Sequence, residues 1–156
     1  MLARVPTESA VVEVKAGLIS NVWNSWLRFL VDAVDRSAQR VGAAVALTVQ
    51  AASVGPVTAT QPLQAGLYRV SVHARVTQAA TTSSSLTVAV GYVHGGVACS
   101  QAGPALTGNL TTSVQGLVFA LKVDQGSTIS YTATRASVGA TPMQYALDVS
   151  IERLST

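Results

Sequence analysis

The sequence predicts a mainly β fold, an antiparallel jelly-roll sandwich preceded by an extended N-terminal arm and one amphipathic helix. Three observations carry that prediction. From Gly42 onward apolar and polar residues alternate, the period of a strand buried on one face. Gly, Pro and Asp clusters cut the alternation into about six to eight short segments, as in an all-β sandwich. Hydrophobic residues make up 49% of the 156-residue chain and charged residues 11%, against about 25% charged in an ordinary soluble domain. Such a chain is apolar enough to bury a core. Its outer surface is expected to be small and uncharged, or covered by neighbouring subunits. No interval repeats in register, which argues against a solenoid or propeller.

Residues 1–18 read as an extended arm. Val11, Val12 and Val14 favour β conformation and Gly17 ends the stretch. An arm this short buries little by itself, so it is expected to add as a strand to another subunit or protein. Residues 19–41 read as the helix. Ser20 or Asn21 can cap it by accepting from an orphan backbone N–H. Ile19, Trp23, Leu27, Leu30, Val34, Ala38 and Val41 recur at steps of three and four. Val22, Trp26, Phe29 and Ala33 form a second apolar row beside them, so the apolar face is wider than a coiled-coil seam. Trp is frequent at interface hot spots, which marks Val11, Val12, Trp23, Trp26, Leu27, Phe29 and Leu30 as candidate anchor contacts.

Residues 42–156 form the predicted β domain. Ala43–Ala51 reads as a strand, and Pro56 and Pro62 bracket a loop. Tyr68, Val70, Val72, Ala74 and Val76 then point to one side, with Arg69, Ser71, His73, Arg75 and Thr77 on the other. Ser83–His94 follows, with Leu86, Val88, Val90 and Tyr92 on one face and a turn at Gly95-Gly96. Cys99 is expected in the loop beyond it. Ser113–Val123, a turn at Asp124-Gln125-Gly126, Ser127–Arg135 and Met143–Leu154 complete the order. In the last segment Tyr145, Leu147, Val149 and Ile151 face in, and Asp148, Ser150 and Glu152 face out.

The chemistry-bearing residues are sparse. Cys99 is the one cysteine, so no internal disulfide forms. Asp148 and Glu152 are too far apart along their strand for a tight carboxylate pair of the glycosidase type. His73 and His94 lack metal-ligand spacing. No G-x-S-x-G elbow, G-x-G-x-x-G loop or Walker loop occurs. The reading is therefore a protein without catalytic residues, cofactor or metal. The net charge of +3 is modest and the basic residues are scattered, so no nucleic-acid partner is expected. No apolar stretch is long enough to span a bilayer, and no secretory signal is evident, which predicts synthesis in the cytoplasm. The outward row Arg69, His73, Arg75 has two readings. It is a solvated or intersubunit strand face, or a shallow surface for an anionic glycan or partner carboxylate, which Arg can hold bidentately.

A resemblance enters through the order of the segments. Trp23 and Trp26 are followed by LTVQAASV, QAGLYRVSVHARVTQAATTSSSLTVAVGY, GPALTGN and QGSTISYTATRASVGATPMQYALDVSIERL. Over most of its length the chain resembles small virion structural proteins of tailed bacteriophages, found as fibre, spike or decoration components. The resemblance implies a homotrimeric jelly roll like the C1q and tumour-necrosis-factor folds, located in the virion. It implies docking to a portal, adaptor, tail or capsid protein through residues 1–41. In such trimers inner-sheet aromatics face the threefold axis, which makes Tyr68, Tyr92, Tyr131 and Tyr145 candidates. A capsid-cementing protein shares this fold. A glycan-binding host-attachment module is the rival, with a site in Gly95–Gly103, in Ser137–Pro142 or on the Arg69/His73/Arg75 face.

Overall fold

The computed structural model describes residues 12–13, 18–19, 21–37, 45–62 and 64–155. The chain divides into two compact units, Met1–Gln39 and Arg40–Thr156.

In the first unit β1 (Val12–Glu13) pairs antiparallel with β2 (Leu18–Ile19), Val12 opposite Ile19 and Glu13 opposite Leu18. Val12 therefore lies in a short two-stranded ribbon within the predicted arm. Val11 lies outside the described residues. Helix α1 follows at Asn21–Ser37. Its apolar side chains remain accessible: Val22, Leu27, Phe29, Leu30 and Val31 are each at least one-third exposed. Trp23 and Trp26 are half-buried and meet edge to face, with ring centroids 5.5 Å apart, the geometry that aromatic quadrupoles favour.

The second unit is an antiparallel β sandwich. Its strands in chain order are β3 (Val45–Gln50), β4 (Val54–Thr60), β5 (Gly66–Gln78), β6 (Ser83–His94), β7 (Val97–Ala102), β8 (Leu106–Thr107), β9 (Val114–Val123), β10 (Ile129–Val138) and β11 (Gln144–Ser155). One sheet has the order β3-β11-β5-β9. The other has the order β4-β10-β6-β7, with β8 also pairing β6. The long strands alternate as their sequences predict. Val70, Val72, Ala74 and Val76 of β5 meet Leu86, Val88 and Val90 of β6, together with the inward residues of β10 and β11, in one core. Burying these branched side chains contributes about 1.5–3 kcal/mol each.

Three sequence expectations change here. Pro56 lies inside β4, outside any loop. β4 is an edge strand whose described partner is β10 alone, and an edge tolerates a residue with no N–H to give. Cys99 lies in β7, outside any loop. Its strand shows little apolar alternation because most of its residues are exposed or half-buried. Tyr68, Tyr131 and Tyr145 are fully buried between the two sheets of a single chain, so they are unavailable to a symmetry axis. Two of them end on backbone acceptors: Tyr68 Oη donates to Gln64 O at 2.6 Å and Tyr145 Oη to Ala52 O at 2.9 Å. Those bonds satisfy the polar tips that burial would otherwise strand.

Candidate functional site

The outward row of β5 meets a row of matching spacing on β11. Arg69 lies opposite Glu152, Ser71 opposite Ser150, His73 opposite Asp148 and Arg75 opposite Ala146. Arg69 donates from Nε to Glu152 Oε2 at 3.1 Å and also from Nη2. His73 Nδ1 lies 3.9 Å from Asp148 Oδ2. The face is therefore a cross-strand ladder of basic side chains on β5 and acidic ones on β11, with one close ion pair, Arg69–Glu152. Arg75 alone of the three has no acidic partner among the described residues. Arg69 thus already holds a carboxylate, while Arg75 is the guanidinium of the row left open among the described residues. Cross-strand pairs of this kind stabilise a sheet by roughly 0.2–1 kcal/mol. The sequence did hold the signal, because Arg69 and His73 are four residues apart, as are Asp148 and Glu152. Only the antiparallel register converts those equal spacings into contacts.

A shallow depression of about 200 Å³ lies on this face, lined in part by Ser71, His73, Asp148 and Ser150. Ser, His and Asp are the residue types of an acyl-transfer triad. Among the described residues no hydrogen bond joins either serine to His73, and the His73 and Asp148 side chains are 55% and 62% exposed. The arrangement lacks the base-to-nucleophile bond that would activate a hydroxyl.

The outer face of the other sheet is different. In the β6–β10 register Ser83 lies opposite Val138, Ser85 opposite Ala136, Thr87 opposite Thr134, Ala89 opposite Thr132 and Gly91 opposite Ser130. These ten residues carry no charge. Their inward neighbours are Leu86, Val88, Val90, Tyr131 and Ala133 of the core.

The third acid of the second unit, Asp124, is also engaged. Gly95 donates its N–H to Asp124 Oδ1 at 3.0 Å, and Gly96 donates to Oδ2 at 2.8 Å. Both glycines have positive φ, 60° and 75°, as a two-residue hairpin turn of the primed type requires. The Gly96 and Gly95 bonds hold the Asp124 carboxyl below its usual range, and His94 nearby works in the same direction. Asp124 thus ties the β6–β7 turn to the β9–β10 turn. Burial pushes the Tyr145 phenol up, with the Arg135 charge opposing it.

The proposed glycan loops differ from expectation. Gly95–Gly103 is mostly β7, and Ser137–Pro142 begins within β10. Among the described residues of Arg40–Thr156 every aromatic side chain lies in a strand. No described helix is long and apolar enough to cross a membrane. Among the described residues no three His, Cys, Asp or Glu come together in a metal-binding group.

No family model and no curated protein matches the chain. Among solved structures, the chain is similar to the CBM22-1–GH10 modules of Clostridium thermocellum endo-1,4-β-D-xylanase 10B, solved with xylohexaose. The TM-score is 0.37 at 13% identity, over 76% of this chain and 28% of that one. The chain therefore spans well under half the length of that neighbour, and a likeness so distant does not bear on function.

Proposed function

We propose that this chain is a structural subunit of a tailed-bacteriophage virion, a homotrimeric fibre or spike on the head or head–tail junction. Arm and helix dock it to a portal, adaptor, tail or capsid protein, and the β domain projects. Its mechanism is assembly, without bond making or cofactor. The observation that carries the reading is the distribution of charge in the sandwich. All three acids of the second unit are engaged in structural contacts, while one whole sheet face is free of charge. A face of small uncharged residues lets a neighbouring copy pack closely without desolvating ions. The accessible apolar side chains of α1 suit a second, separate contact. The resemblance of the segment order to virion proteins points the same way.

The test is Trp23→Ala/Trp26→Ala in the full chain. The variant is expected to be lost from particles while its strand circular dichroism and solution mass stay those of the parent. Particles carrying it at parental copy number would overturn the anchoring role. A monomeric parent in light scattering would overturn the trimer and favour partner-dependent capsid decoration. Binding on a glycan array that survives loss of the Arg75 charge would favour a host-attachment module.

A further inference from the structure

Three of the four sheet edges are interrupted. β4 contains Pro56 and two register shifts against β10. The β7–β8 edge is broken at Gly103-Pro104. β3 is six residues long and has a register shift against β11. Natural sheets protect edges in these ways because open backbone groups template pairing with another chain. β9 has none of these devices. It runs ten residues in unbroken register with β5, contains no proline, and carries one charge, Lys122.

The phase of its free groups follows from one bond. Val76 donates its N–H to Ser113 O at 3.0 Å, just beyond the strand. Antiparallel pairs alternate between bonded and open, so Gln115, Leu117, Phe119 and Leu121 bond to β5. Val114, Gly116, Val118, Ala120 and Lys122 turn their N–H and C=O groups to the free edge. Among the described residues the one partner these groups have is the Gln101 side chain, which donates to Ala120 O at 3.4 Å.

We infer that β9 pairs antiparallel with β9 of a second copy across a twofold axis at Val118, joining two four-stranded sheets into one of eight. The five edge-facing residues are symmetric about Val118. In that register Val118 meets Val118, Gly116 meets Ala120 and Val114 meets Lys122 of the other copy. Val114 and Val118 are 60% and 68% exposed in the single chain and would stack along the new seam. The Lys122 stem can cover Val114 while its ammonium stays in water. The two Lys122 residues end about 27 Å apart at ~3.4 Å per residue, well beyond the ~8 Å screening length. A parallel pairing would place them side by side. The Gln101 bond is the one contact displaced. A single strand pair buries less than the ~1,200 Å² of a stable interface, so the association is concentration-dependent.

The experiment is sedimentation equilibrium of the full chain across concentration, paired with amide hydrogen exchange. The mass is expected to double from its low-concentration value. The Gly116, Val118 and Ala120 amides should exchange at least tenfold more slowly at high concentration, while Leu117 and Phe119 stay protected throughout. Val118→Lys places two cations on the dyad and should weaken doubling at least tenfold. Gly116→Lys should do the same, and a Cβ there meets nothing within 4 Å, so the fold tolerates it. Fast exchange of the three amides at every concentration, or doubling indifferent to both variants, overturns the inference. The base mass reports the trimer independently: three copies rising to six, or one rising to two, both support the edge.

Discussion

The two outer faces of the sandwich cover the same core and differ in almost everything else. On β5 and β11, Arg69 faces Glu152 and His73 faces Asp148. On β6 and β10 the outward residues from Ser83 to Gly91 and from Ser130 to Val138 carry no charge. Water solvates the first face well, and opposed charges fix its register. The second offers water short hydroxyls but no ions, and would make a smooth, ion-free contact. A β sandwich needs both its inner faces apolar, so the inward rows look alike in every strand. Its individuality is written on the outer rows.

Charge placement should break the comparison most sharply. Thr132→Arg on the bare face is expected to abolish the parent oligomer, since an unpaired charge in a close contact costs several kcal/mol. Strand circular dichroism should persist, and light scattering gives the mass. Loss of strand signal together with mass would make that position structural only. The same type of change on the ladder should be mild. A double-mutant cycle of Arg69→Ala and Glu152→Ala, followed by urea unfolding, should return a coupling of about 0–1 kcal/mol, as for exposed pairs. A coupling well above that range would mean the ladder is screened from water by something packed over it. The smallest effect belongs to the turn cluster. The Asp124 carboxyl titrates below its ordinary value of 3.8. Its contribution is complete above that value and is lost as pH falls through the lower folded one. Asp124→Asn should therefore flatten the acid limb of the thermal midpoint below pH ~4 and leave the neutral limb with little pH dependence. An unchanged acid limb would overturn that role for Asp124.

The strands with a long alternating pattern were legible from sequence. The rows Tyr68–Val76, Leu86–Val90 and Tyr145–Ile151 are buried as read, because one-sided burial imposes period two wherever a strand covers a core. β7 escaped because Val97–Ala102 is mostly exposed on both sides, leaving no apolar period to see. β4 escaped because proline is a poor strand former except at an edge, and edge position is a property of the whole topology. The charge ladder escaped for a related reason. Each row was visible by itself, but the pairing joins residues about 80 positions apart. The tyrosines were misplaced because a tyrosine that faces a partner and one that reaches a backbone carbonyl share the same local pattern. Tyr145 and its acceptor Ala52 are separated by 93 positions.

One topological fact has a temporal side. β11 lies between β3 and β5, yet it is made from residues 144–155, the last of the sandwich to leave the ribosome. Until then β3 has no described neighbour to pair with, and one edge of β5 lacks its partner strand. Closing β3 onto β11 links positions about 100 apart, the kind of long-range pairing that slows folding. The unit is therefore expected to close only once residues 144–155 have emerged. Until then its half-made sheet stays exposed to chaperones and to sister chains.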